Sequence, residues 1–498
     1  MREVQPNGPP VTSRRALLSG LAAMAAYATV STAIARDRAA ESSALERLES
    51  LPVPQRRILI RDATVLSMDK AVGDHNKADI LIEGRRIAQV RPGLAKEVSG
   101  ALEIDASNMI AIPGFVDAHR HAWSGQLRGL IPDANIAEYI AATHRGFAPF
   151  YRASDVYAGN LLTSVAAIES GITCVIDNSH NSRSEAHSDA AVKALMDSGI
   201  RGVHAVGAPT FGNWDKQFPA DTVRLQKKYF SSHDQLLTLR LYQLGFKREV
   251  LDMAKQLDLW VTTEGLNPQQ WPVLEEWDRA GLIDEKNTFN HMFGSVPQSA
   301  WEIIKNRGIS VNVCPRSDAQ YGLGRGIGGL QVALDNGIRP GLSVDNEASY
   351  GTDMFTEMRV GFFMQRAVAQ MRKSDGDTSA PTPVSVRDML EFATLRGAWC
   401  AGLLSHTGSL TPGKQADIVL IRGDSLNMAP MANAAAAVVS YAGTQNVDSV
   451  FISGEVRKFS GQMRMPRQAP SVEQVKQLAI ASRDYLFEQR GHSKDIVR

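Results

Sequence analysis

From residue 113 to residue 408 two hydrophobic patterns alternate. Short apolar runs ending in polar turn residues occur at Phe115-Val116, Cys174 to Ile176, Gly202 to Val206, Leu237 to Leu241, Leu259 to Val261, Thr288-Phe289, Ile309 to Val313 and Pro340 to Val344. Between them lie stretches with helical amphipathic spacing, including Ala153 to Ser170, Ser188 to Ser198, Gln298 to Asn306 and Gly329 to Asn336. Eight strands with intervening helices predict an α/β fold, a (β/α)8 barrel over residues 113–408. No GxGxxG opens a helix after the first strand, which disfavours a dinucleotide-binding open sheet.

The flanks read differently. Ile58 to Ile60, Ala63 to Leu66 and Ile80 to Ile82 are β-rich runs divided by turn residues, and Ala416 to Ile421 and Val447 to Ile452 repeat the pattern near the other end. Neither set can bury a core alone. The two ends, 55–112 and 409–460, are therefore expected to form one small β-sandwich domain. Ser385 to Leu403 and Ser471 to Arg490 read as helical, the latter within a C-terminal extension at 461–498. Met371 to Pro383 is polar and contains Gly and Pro, so a loop is expected there.

Residues 1–35 stand apart. Ser13-Arg14-Arg15 precedes a short apolar stretch, Ala16 to Val30, and Ala33-Ile34-Ala35 offers a small-x-small cleavage pattern. The segment resembles a twin-arginine export signal, which implies a periplasmic mature protein that is free of the membrane once the signal is removed. Lys+Arg 54 against Asp+Glu 53 leaves a net charge of +1, so no basic field is expected to recruit nucleic acid or an anionic membrane. Three cysteines exclude a disulfide scaffold, and Cys174, Cys314 and Cys400 are each expected to be small buried hydrophobes.

The chemistry begins at His119-Arg120-His121. Alternate residues of a strand point to one side, so the two imidazoles can grip one metal ion at the C-terminal end of the first barrel strand, the end that faces a barrel's active site. With these residues in view the chain becomes recognisable. Pro113 to His121 resembles the first-strand motif of the amidohydrolase superfamily, and Gly408 to Val419 and Asn446 to Gly454 resemble its return into the β-sandwich. The resemblance covers roughly residues 55–460 and is nearest to the cytosine/guanine deaminase and chlorohydrolase-like branch.

That resemblance implies His119 and His121 as metal ligands and His291 as the sixth-strand histidine that contacts water and substrate. It implies Asp345 as the eighth-strand aspartate that touches the metal and takes a proton from water. Cys314-Pro315-Arg316-Ser317 resembles a pocket-lining loop, which makes Arg316 a substrate-binding candidate. No lysine ends the fourth strand, Leu237 to Gln243, so one divalent ion is expected, zinc or iron. One position departs from the family. The fifth strand of this branch carries a histidine with a glutamate three residues later, whereas this chain has Val261-Thr262-Thr263-Glu264. Either Val261 occupies the histidine position and Glu264 is a general acid, or Glu264 replaces the histidine as a ligand.

Trp123 is expected as a stacking face for a flat ring and Asn178 as a pocket residue, with Gln126 and Arg128 as further candidates. His180 reads as a loop histidine and His204 as structural. The function implied is hydrolysis of a non-peptide C–N bond by metal-activated water, foremost deamination of a heterocyclic or aromatic small molecule. An amide, carbamate or ester hydrolase is the alternative, and a degenerate barrel that only binds is a remote one. Barrel enzymes of this type are often oligomers, so a homo-oligomer is expected by analogy.

Overall fold

The computed structural model describes residues 43–495 apart from 233, 293–295 and 327–328. The export signal expected at 1–35 lies outside the described residues. Eight parallel strands run in chain order around a barrel: Phe115–Arg120, Ile172–Ser179, Arg201–Val206, Leu237–Leu244, Trp260–Glu264, Asn287–Asn290, Ser310–Val313 and Gly341–Leu342. Each contains or overlaps an apolar run of the sequence. The wall closes between the last strand and the first. There the Asp345 amide donates to the His119 carbonyl at 2.9 Å, and the His121 amide to the Asp345 carbonyl at 2.7 Å.

Buried charge reinforces this seam. Asp117 Oδ1 accepts from the Val344 amide at 2.9 Å, and Asp117 Oδ2 accepts from Arg120 Nε at 2.7 Å. Arg120 is fully buried and reaches Glu347 at 3.2 Å. Buried guanidinium groups persist where carboxylates meet them in good geometry. Arg120 therefore turns outward between two histidines that turn inward.

The second unit is one mixed nine-stranded sheet. Met109–Pro113 pairs antiparallel with Ile418–Arg422 and parallel with Arg57–Leu66, which joins the two chain ends. The run Ile112 to Asp117 divides at Gly114, where the chain leaves this sheet for the barrel. A Cβ at Gly114 would lie 2.0–2.6 Å from the Thr173 side chain, so only glycine passes. Bidentate bonds from Arg201 to Asp417, at 2.7 and 3.0 Å, tie the sheet to the barrel floor.

Two helical regions differ from expectation. A 21-residue helix, Met354–Ser374, runs into the stretch expected as a loop from Met371. Asp353 caps it, Phe355, Met358 and Gly361 are buried, and the polar end from Arg372 is simply its last solvated turn. Ser385 to Leu403 is interrupted by a wider turn at Phe392–Arg396. The terminal helix Val472–Arg490 packs on Ala153–Glu169, and its Ser482 hydroxyl donates to Asp155 at 2.8 Å. Among the described residues no helix is long and apolar enough to cross a membrane.

Candidate metal centre

At the C-terminal rim of the barrel five side chains converge. His119 comes from the first strand and His121 from just beyond it, Glu264 from the end of the fifth, His291 from just beyond the sixth and Asp345 from just beyond the eighth. Asp345 Oδ1 lies 3.3 Å from His119 Nε2 and 3.4 Å from His121 Nε2. Glu264 Oε2 lies 3.8 and 3.7 Å from the same two nitrogens. Four ligands about 2.0–2.1 Å from a tetrahedral ion stand about 3.3–3.4 Å apart. The donor separations are therefore close to those of a metal shell.

Two further observations fit an ion. His119 Nε2 and Asp345 Oδ1 are buried without a hydrogen-bond partner, although buried polar atoms ordinarily have one. The charges also favour it. Burial disfavours ionised carboxyls, yet the facing imidazoles of His119, His121 and His291 hold Glu264 well below the usual carboxylate range and lower Asp345 too. Both carboxylates are thus available as anionic ligands at neutral pH. Asp345 and His291 have φ of 72° and 68°, left-handed values that non-glycine residues rarely adopt. Such backbone costs about 1–3 kcal/mol and gathers at functional sites.

A second layer orients the donors. The Asn178 amide lies against His119 Nδ1, and its Oδ1 is otherwise buried without a partner. His121 Nδ1 lies 2.9 Å from His180 Nε2, which also accepts from Trp123 Nε1 at 3.3 Å. His291 Nδ1 meets Asp318 Oδ1 at 3.0 Å, and its Nε2 lies 3.9 Å from Glu264 Oε1 and from Cys314 Sγ. Ser317 donates to Asp345 Oδ2. The Tyr242 hydroxyl donates to Glu264 Oε2 at 2.8 Å.

Several candidates land elsewhere. Trp123 offers no stacking face: it is fully buried against Tyr151, His144 and His180, and it acts through its indole N–H. Arg316 bonds Glu357 and the carbonyls of Gly351 and Asp353, so it braces the loop after the eighth strand rather than lining a pocket. Gln126 bonds the Asp155 carbonyl and Ser482, and Arg128 pairs with Glu347. Conversely, His180 packs directly on a candidate ligand, with ring centroids 4.6 Å apart. Cys314 is buried as expected but touches His291. His204 is fully buried and stacked on Phe230, away from the cluster.

The second layer also contains residues that sequence reasoning passed over. Tyr242 sits on the lysine-free fourth strand, two residues after Arg240. Period-two alternation would have marked both as inward-facing. Asn290 adjoins His291, and its Nδ2 lies 2.8 Å from His119 Nδ1. His144 stacks on His180 at 4.9 Å from a wide helical turn, Thr143–Phe147, and nothing in its sequence surroundings signals that placement.

The histidine stack sets a pH response. Burial, with His121 nearby, pulls His144 from 6.5 to about 4 and holds His180 well below its ordinary value. Both are neutral in the fold but take up protons when unfolded below about 6.5. The unfolded state then binds more protons, so stability falls as pH drops from about 6.5 toward 4. The urea midpoint is expected to fall across that window, and to fall less in His144→Asn.

A parallel barrel with an inward histidine–carboxylate shell at its C-terminal rim defines a barrel enzyme of the metal-dependent type. Comparison with known proteins agrees. The amidohydrolase family model matches residues 271–457. A 5-methylthioadenosine/S-adenosylhomocysteine deaminase of Desulforamulus reducens is 24% identical over 429 residues, 80% of this chain and 93% of the relative. A 5'-deoxyadenosine deaminase of Methanobrevibacter smithii is 26% identical over 427 residues, 80% and 92% of the two chains. The structure of an adenosine deaminase from Xanthomonas campestris with bound zinc superimposes with a TM-score of 0.73 at 20% identity, covering 86% of this chain and 98% of that one. Over residues 271–457 the chain is thus similar to the amidohydrolase family, and over 80% of its length to curated deaminases.

Proposed function

We propose that the protein is a metal-dependent aminohydrolase that removes an amino group from a heteroaromatic ring of a small molecule. The observation that carries this reading is the donor shell of His119, His121, Glu264 and Asp345, with partnerless His119 Nε2 and Asp345 Oδ1 facing each other across 3.3 Å. The names of the relatives support an aminopurine nucleoside as the first substrate class to test. Imidazole and carboxylate donors suit zinc or iron, and the zinc-bound neighbour supports zinc.

His119, His121, Glu264 and Asp345 would hold a divalent ion, which when bound would supply the charge that lowers the pKa of water toward neutrality. The chain's own residues do the rest. Asp345, held ionised and steadied by Ser317 through Oδ2, accepts a proton from the attacking water and returns it to the departing nitrogen. His291, aligned by Asp318 through Nδ1, turns Nε2 toward the reacting position, where it orients the water or stabilises the developing oxyanion. Glu264 completes the shell through Oε2, where Tyr242 steadies it.

Ammonia release across a panel of adenosine-type nucleosides, aminated pyrimidines, aminotriazines and simple amides tests the proposal. Stoichiometric ammonia with the matching oxo ring is the expected outcome for at least one aminated ring. Cleavage of amides alone would replace the aminohydrolase reading with an amidase.

A further inference from the structure

A cavity of about 720 Å³ lies at the opposite end of the barrel from the metal centre. It sits in the seam between the strand N-termini and the small sheet, and residues from Arg201, Gln415 and Ile452 to Arg467 line it. Its charge is lopsided. Six arginines line it against three carboxylates, Glu49, Asp234 and Glu455.

Pairing accounts for only part of this. Arg56 pairs with Glu455 at 2.6 Å, and Arg464 with Glu49 at 2.8 Å. Arg201 is neutralised from behind by Asp417, and Asp234 faces Arg86 outside the cavity at 3.9 Å. Among the described residues Arg85, Arg457 and Arg467 then make no direct salt bridge, although Glu455 and Glu49, each already bonded to another arginine, lie near Arg457. Arg457 is half-buried, and its Nε donates only to the Gly199 carbonyl, at 3.3 Å. Gly199 is at φ 73°, and a Cβ there would come within 2.4 Å of that Nε, so the turn leaves a berth for this guanidinium.

Arg457 is partly withdrawn from water and shares this open cavity with the exposed Arg85 and Arg467, so it bears a desolvation cost and like-charge repulsion that a matching anion removes. We propose that this cavity is a second binding site, for a small molecule carrying a multiply charged oxyanion group, held by Arg85, Arg457 and Arg467. The planar forks of arginine match phosphate and carboxylate oxygens equally, so both chemistries belong to the proposal. The site is separate from the catalytic rim and independent of what is hydrolysed there.

Calorimetric titration of the full, metal-loaded protein with pyrophosphate, and separately with citrate, at constant ionic strength tests it. Arg85 and Arg467 are exposed, so the double variant R85Q/R467Q keeps the fold and the unliganded activity. Heat arising at the catalytic metal persists in that variant and is subtracted. The expected result is one saturable event in the parent that weakens at least about tenfold in the variant, since each charged hydrogen bond lost is worth about that factor or more. Preference for pyrophosphate or citrate identifies the group recognised. Identical titrations in parent and variant, or no saturable event with either anion, overturn the proposal.

Discussion

His119→Ala is expected to strip the ion from the protein and stop turnover while leaving the barrel folded. Its Nε2 is within 3.8 Å of two carboxylate oxygens and is buried without a hydrogen bond, so it is the donor whose removal opens the shell most directly. Removing a group that merely orients a ligand weakens metal affinity about 10–100-fold, and a ligand itself should cost more. Metal-assisted charge stabilisation is worth several kcal/mol, so turnover should fall at least about 10³-fold. Metal analysis, circular dichroism and ammonia release check the three parts. A folded variant that retains about one ion per chain and its activity would show that the ion, if bound, sits elsewhere.

Much of this architecture was legible in the sequence because barrels are periodic. Each barrel strand is a short apolar run that must be buried on both faces, and that leaves a clear imprint. The spacing of His119 and His121 was readable for the same reason, since strand alternation fixes which side each imidazole faces and the strand end fixes the rim. The second layer left no such imprint. Trp123 looks like an exposed ring platform in sequence, but its role is decided by His180, 57 residues later, and by Tyr151 farther along the same connection. Arg316 follows the right strand, yet Glu357 on a distant helix captures it, and the polar end of that helix reads as a loop in the sequence. Buried polar partners come from packing between loops, which no local pattern records.

Glu264→Gln is the second variant with a large expected effect, and it decides the question left open by the fifth strand. Thr262 points inward, since its Oγ1 accepts from the buried Arg240 at 3.0 Å. Alternation carries Glu264 inward as well, and Val261 outward into the apolar layer beneath the helices. Val261 thus faces away from the donor cluster, which favours Glu264 Oε2 as the replacement for the family's histidine. The glutamine keeps the shape but loses the charge. Metal content is expected to fall, with turnover about 10²- to 10⁴-fold lower, and excess zinc should recover part of it. Glu264→His should hold the ion better than Glu264→Gln, because imidazole is a competent ligand at a position already aimed inward. Adding Val261→His to Glu264→Gln should rescue nothing. Full metal occupancy in Glu264→Gln with turnover still lost would instead make Glu264 the acid that protonates the substrate.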